Sequence, residues 1–436
     1  MDLKKQYPLF IYENYSFKKI NKDLEINFVF KIESIVFNPK IIIKNIKAKK
    51  DISNLVFNLG LIEMFSYWKS VCSPKILIKC GHLDSYQKKW WKKLLIKGMG
   101  QFYYENKIKF TDVLIETQGK INNKKINIKG DKAMVLIGGG KDSAVALELT
   151  KRAKKNVSCL SLNPTKQIIK MTKECELIIV KRQIDKKLLK MNRQSFYNGH
   201  TPFVAYLSFL SIIVSALFDK KYIILGNEES SNEGNVKYLG INVNHQYSKT
   251  LEFENDFREY SNKYLSNAEY FSILRPFYEL QIAQMFSKMS KYFPLFLSCN
   301  ESQKTFSGTK KKTGTWCGKC SKCLFVFAVL YPFIEDKDLI KIFKENLLDK
   351  KELIPIMMEL IEEKRIKPFE CVGTKKESLV AFYLSWKKNK KLSLLKHFEK
   401  KVLNKYPQIE KYSKEIMGHW GKNNLPKGFD VGVMDL

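Results

Sequence analysis

The chain has 436 residues, enough for two or three domains with cores of their own, and its 44% hydrophobic content is that of an ordinary globular protein. A formal charge of +33 would point to nucleic acid, but only six of the 77 basic residues are arginine. Lysine spread over every segment is a solvated, compositional excess rather than a set of bidentate base-reading forks, so no specific nucleic-acid partner is expected.

Residues 1–130 read as an N-terminal α+β domain. The runs Ile26 to Ile35, Ile41 to Ile46 and Ile76 to Ile78 are β-branched or aromatic, and Tyr67-Trp68 and Trp90-Trp91 load an aromatic core. Met1 to Tyr7 has no apolar region of the secretory type, and nine cysteines in such a chain point to a reducing, cytoplasmic setting in which clustered thiols bind metal. Lys120 to Lys132 reads as a lysine-rich linker. From Ala133 the pattern alternates: strand 133–137, helix 142–154, strand 157–162, helix 165–174, strand 177–181, helix 202–218, strand 222–225. That order predicts an α/β fold, a doubly wound parallel sheet over 131–330 whose ligand lies beyond the strands' carboxyl ends. Phe203 to Phe218, the longest uncharged apolar run, is short for a membrane span and carries three serines, so it reads as a buried core helix and no membrane span is expected. Residues 331–436 form a lysine-rich helical C-terminal region.

The first chemical motif is Gly138-Gly139-Gly140-Lys141-Asp142-Ser143, between a short apolar strand and an apolar-periodic helix. Unpaired N–H groups and the helix dipole converge there, which makes an anion site. It is not a Walker loop, because Lys141 is followed by Asp142. The order resembles the pyrophosphatase loop of enzymes that split ATP into AMP and pyrophosphate, with Gly138 standing where that family usually has serine. Asn163, Gly226 and Asn227 close the next strand ends and join the loop as candidate cofactor-binding residues.

Asn227 to Asn235 (including Glu228), Asn242 to Lys249 and Glu252 to Glu254 concentrate amides, carboxylates, His245 and Tyr247 in stretches too polar for a core. Arg258 and Arg275, two of the six arginines, follow these motifs and are candidate carboxylate or phosphate clamps, with Asn244 as a further substrate-binding candidate. Cys317, Cys320 and Cys323 form two overlapping C-x2-C steps, and Cys299 lies upstream to close a four-thiolate site. Structural Zn²⁺ is the default occupant, with a [4Fe–4S] cluster as the alternative.

Taken together, the 138–143 loop, Asn198-Gly199-His200-Thr201-Pro202, Asn227-Glu228-Glu229-Ser230, Asn244-His245-Gln246-Tyr247-Ser248-Lys249, Phe271 to Pro276, Ser298-Cys299-Asn300 and Trp316 to Cys320 resemble the ATP-dependent epimerases of UDP-N-acetylmuramoyl-L-alanyl-L-glutamate. The resemblance implies a pyrophosphatase-loop (adenine nucleotide alpha hydrolase-like) domain, ATP and Mg²⁺ as cosubstrates, a UDP-N-acetylmuramoyl dipeptide as small-molecule substrate, and a place in peptidoglycan synthesis. It further implies that the loop holds pyrophosphate with Lys141 neutralising it, and that Asp142 or a glutamate of 228–233 helps hold Mg²⁺. His245, Tyr247 and Glu254 are the proton-transfer candidates, and Lys249 and Glu228 complete the catalytic set. A carboxylate-adenylating relative of the 7-cyano-7-deazaguanine synthase type, or a non-catalytic nucleotide- or RNA-binding module, are the competing readings.

Overall fold

The computed structural model describes residues 3–429 except 49, 111, 112, 155, 306, 363 and 364. Its frame is an 11-stranded sheet. The strands are β1 (Leu9–Ile20), β2 (Asp23–Ile32), β3 (Ile35–Phe37), β4 (Lys40–Ile43), β5 (Lys75–Ile78), β6 (Leu114–Thr117), β7 (Lys132–Leu136), β8 (Val157–Leu162), β9 (Glu176–Gln183), β10 (Lys220–Leu225) and, after a small hairpin of β11 (Val236–Tyr238) and β12 (Ile241–Val243), β13 (Glu269–Ser272). Their spatial order is β13-β10-β7-β8-β9-β4-β2-β1-β5-β6, with β3 on β2.

From β13 to β9 every pairing is parallel, as the alternating pattern predicts. The chain starts at β7, runs outward through β8 and β9, and returns on the other side to β10 and β13, so the order reverses between β7 and β10. A crevice opens at such a reversal because the two connections leave in opposite directions. The sheet departs from a purely parallel one in its middle: β9 pairs antiparallel with β4, β4 with β2, and β2 with β1, before β5 and β6 restore parallel pairing. The molecule is thus a mixed α/β protein with a large, mostly parallel sheet, and the β4–β9 seam carries it across residue 130.

Side-chain alternation places helices on both faces. In β7, Ala133 and Val135 join the core that holds the helix Lys141–Ala153, whereas Met134 joins the core that holds Phe203–Phe218. Phe203–Phe218 is buried along most of its length, as a core helix should be. Beside it lies Ser53–Trp68, which carries Glu63. Glu63 is fully buried and takes a bidentate pair from Arg182 of β9 at 2.9 and 3.0 Å, with the guanidinium 4.4 Å from the Tyr206 ring. The C-terminal helices, Ser321–Leu330 through Ile409–Met417, bury their apolar faces in the core that holds Lys141–Ala153. No helix among the described residues is long and apolar enough to cross a membrane.

Candidate active site

The glycine loop falls at the β7/β10 reversal. Gly139 has φ +89°, and a Cβ there would stand 2.9 Å from Ile168 Cγ1, so only glycine fits the turn without strain. The loop is pinned by Leu297 N–H donating to the Gly139 carbonyl (2.9 Å) and by Gly138 N–H donating to Ser143 Oγ (3.0 Å). Gly140 precedes the helix Lys141–Ala153, and no side chain caps that helix's first N–H groups. They remain directed at the crevice, with the positive end of the dipole behind them. Gly226, at the end of β10, lets the strand approach closely: a Cβ there would sit 3.1 Å from the Asp142 carbonyl oxygen.

A cavity of about 470 Å³ occupies the crevice. Gly138, Gly139, Gly140, Asp142, Ser143, Asn163, Gly226, Asn227 and Lys249 line it, so nine of the residues singled out in the sequence converge on one space. Asn163 has φ 50° and bonds the β9 backbone through Arg182 N–H (3.1 Å) and the Arg182 carbonyl (3.2 Å), holding its strand end in place. Lys322 and Cys371, which motif reading passed over, line the same wall.

Beneath the loop, carboxylate oxygens of Asp142, Glu228 and Glu279 lie within 4.8 Å of one another. Glu279 begins the helix Glu279–Ser287 and is 1% exposed. Lys141 turns its ammonium to Glu279 and Asp142 instead of lining the cavity. Burial alone would favour the neutral amine, but the two carboxylates keep it charged and raise its pKa. Burial and then the Asp142 charge push Glu279 up. Asp142 is held below its ordinary value because Lys141 and Lys322 outweigh its burial. The remaining oxygen, Glu228 Oε2, is buried and has no hydrogen-bond partner among the described residues. An unpaired buried carboxylate oxygen is costly, and three converging oxygens fit a hard cation.

Other predicted residues stand behind this wall. Arg275 is fully buried, donating to the Glu228 carbonyl (2.8 Å), Ser231 Oγ (3.0 Å), the Lys249 carbonyl and Glu254 Oε2 (3.1 Å), so it braces two cavity segments from within the protein. Glu254 completes that brace, its other oxygen accepting from Asn424 at 2.9 Å. Asn244 closes its own loop on the Ser231 carbonyl (2.8 Å). Arg258 bonds the Tyr270 carbonyl (2.6 Å), and Tyr247 reaches Asp256 (3.4 Å). None of these five lines the cavity. His245 sits one layer behind Cys371, its Nε2 3.9 Å from the sulfur, and burial lowers its pKa to about 4.

The four cysteines form a separate cluster. Cys299 Sγ lies 4.0 Å from Cys320 Sγ, Cys317 Sγ lies 3.7 Å from Cys323 Sγ, and all four sulfurs are within 4.8 Å of one another. Gly318 supplies the turn between Cys317 and Cys320, with φ +66°.

Residues 1–273 match the family model described as the MurL N-terminal domain, and residues 295–416 match the MurL C-terminal domain. The chain is 30% identical over 383 residues to a protein of Xanthomonas oryzae pv. oryzae named UDP-N-acetyl-alpha-D-muramoyl-L-alanyl-L-glutamate epimerase, covering 84% of this chain and 83% of that one. Proteins of the same name from a Micromonospora species, 30% identical over 75% of this chain and 73% of theirs, and from Salinispora tropica, 29% identical over 75% and 72%, are similarly related. With both family models matched in order along the chain that builds the crevice and its cysteine cluster, this protein belongs to the MurL family.

Proposed function

We propose that this chain epimerises the terminal L-glutamate of UDP-N-acetylmuramoyl-L-alanyl-L-glutamate to D-glutamate in peptidoglycan synthesis, by an ATP-dependent route that adenylates the α-carboxylate. Kinship with proteins named for that epimerisation supports the overall reaction. The observation that supports the ATP-dependent route is the meeting, at one cavity, of an uncapped helix N-terminus and the Gly138–Gly140 loop, with Asp142 joining that cavity to a carboxylate trio that has one unsatisfied oxygen.

The chemistry explains the demand for ATP. Taking the α-proton from a free carboxylate would create a dianion. Because the glutamate nitrogen is acylated, no Schiff base can serve as electron sink. Attack of the α-carboxylate oxygen on the α-phosphorus of ATP expels pyrophosphate and leaves a mixed anhydride, whose α-proton a side-chain base can remove. A proton returns to the opposite face, and water then cleaves the anhydride to carboxylate and AMP. The loop N–H groups receive the phosphates, and Lys249 and Lys322 face their charge from the cavity wall. Asp142, Glu228 and Glu279 would hold Mg²⁺, which supplies charge neutralisation on the polyphosphate.

The four cysteines would hold zinc. A tetrahedron with Zn–S bonds of about 2.3 Å has edges of about 3.8 Å, which the Cys299–Cys320 and Cys317–Cys323 separations bracket. A cluster that gives each cysteine its own iron would spread the sulfurs farther apart.

The test is release of AMP and pyrophosphate with UDP-N-acetylmuramoyl-L-alanyl-L-glutamate, set against a deazaguanine carboxylate, together with the configuration of the product. The reading expects turnover with the dipeptide alone, and α-deuterium in D₂O only when ATP and Mg²⁺ are both present. Exchange without ATP, or turnover with the deazaguanine acid alone, overturns it.

A further inference from the structure

Cys371 belongs to no metal cluster among the described residues, yet it lines the cavity shared by the glycine loop, Lys249 and Lys322. Its surroundings form a directional relay. Gln101 Nε2 donates to Glu105 Oε1 (2.8 Å), which fixes the amide so that its Oε1 faces His245 Nδ1 at 2.5 Å. An amide oxygen only accepts, so Nδ1 carries the proton and Nε2 presents its lone pair. That lone pair points at Cys371 Sγ, 3.9 Å away. Burial disfavours a charged imidazole, which keeps the lone pair in place.

Two cations face the same sulfur's segment. The Lys322 ammonium donates to the Cys371 carbonyl, while Lys322 N–H donates to Glu370 Oε2 at 2.6 Å, so residues 370 and 371 are tied to the helix Ser321–Leu330. The Lys249 ammonium has no hydrogen-bond partner among the described residues, and after burial its strongest electrostatic neighbours are Cys371 and Glu228. The His245 lone pair and the two lysines thus converge on one sulfur-bearing segment of the cavity wall. The buried, unpartnered Glu228 Oε2 marks the same region as the place where a ligand completes the site.

We infer that Cys371 is the side chain that removes the α-proton, with His245 and Gln101 as its positioning residues. This rests on the epimerase reading above. The Cα–H bond breaks, an S–H bond forms, and the electron pair passes into the activated acyl group. The thiol gives that proton to water in the cavity that Cys371 itself lines, and a proton originating in water returns to the opposite face of Cα. The base therefore comes from the C-terminal region, whereas the ATP loop comes from the parallel sheet.

The experiment uses full-length Cys371→Ala and Cys371→Ser, with zinc content and melting temperature as controls for folding. Each is assayed for ATP–pyrophosphate isotope exchange on the L-dipeptide substrate and for uptake of solvent deuterium at Cα. Deuterium uptake should fall by about 10²-fold or more, while pyrophosphate exchange stays within a few-fold of the unmodified protein. Deuterium uptake at the original rate, or loss of both activities in a folded variant, overturns the assignment. Should the variants fail to fold, alkylation of the unmodified protein decides, with the sites mapped by mass spectrometry. Modification of Cys371 should be blocked by substrate with ATP and should abolish exchange, and alkylated protein with full exchange overturns the assignment. If the unmodified protein neither makes pyrophosphate nor takes up deuterium, it is the epimerase reading that fails.

Discussion

Glu228 illustrates how a single atom organises the site. Its Oε2 is buried without a donor beside two other carboxylates, so cation binding should stabilise the fold by mass action. Millimolar Mg²⁺ should raise the melting temperature of the protein, and Glu228→Gln should abolish that rise, lower ATP turnover about 10²-fold and leave the metal-free protein at least as stable, since it removes a charge from a crowded trio. A Mg²⁺-dependent rise retained in Glu228→Gln would place the cation elsewhere. His245 makes a stability prediction of its own. Its folded pKa, about 4, lies below the ordinary 6.5, so the unfolded chain binds the extra proton between those values. Stability is therefore full above about pH 6.5 and is lost as pH falls toward 4, by roughly 3 kcal/mol. His200 shifts the same way by burial, whereas Glu377, raised to about 7 by burial, opposes both, because the folded state binds its extra proton between pH 4.5 and 7. The contribution of His245 is thus the difference between the unmodified protein and His245→Gln. Denaturant midpoints at pH 7.5 and pH 5 should converge in the variant more than the opposing glutamate alone allows, and parallel pH curves would show that His245 does not titrate as assigned.

At the level of elements, what was readable was what is local. Strand β7, the 138–143 loop and its helix are contiguous in sequence, and the period-2 and 3.6 patterns on either side of three glycines place them to within a residue or two. Glu279 was out of reach because nothing near it marks it as the partner of Lys141, 138 positions away, and Cys371 because its partner His245 lies 126 positions away. Lys322 was hidden inside a cysteine motif whose evident meaning is metal. Strand β1 was missed for another reason: its second half is largely exposed and mixes Asn14, Ser16, Lys18 and Lys19 with aromatics, so the alternation carries little contrast. Arg258 and Arg275, whose rarity in the sequence points to substrate, direct donors in the fold at carbonyls and carboxylates of the protein itself, partners that no local pattern announces. The cysteine-bearing helix Ser321–Leu330 is the element whose loss should spread furthest, because its first turn holds residues 370 and 371 through Lys322. Purified protein should contain about one zinc per chain, and Cys320→Ser should lower both zinc content and melting temperature. Protein with neither zinc nor iron would refute the metal assignment.

Across the whole molecule, the excess of lysine predicts little beyond solubility. Duplex DNA should bind weakly and lose most of its affinity between about 50 and about 200 mM salt. Tight, sequence-dependent binding that survives salt would instead revive a nucleic-acid role. Beside the β4–β9 seam, Arg182 and Glu63 form a buried pair that joins β9 to the helix Ser53–Trp68. Arg182→Met strands the glutamate charge and should cost about 3–5 kcal/mol in denaturant unfolding, and the double variant with Glu63→Gln should recover part of it. An Arg182→Met protein as stable as the original would show that the pair adds nothing to the seam. The β4–β9 seam has a further consequence during synthesis. Strand β4 leaves the ribosome about 140 residues before its partner, and at about 5–20 residues per second its outer edge stays open for about 7–28 s, a template for pairing with any neighbouring nascent chain. Chaperone dependence should therefore centre on residues 40–43, and a fragment ending near residue 130 should aggregate through that edge, although it contains most of the aromatic core.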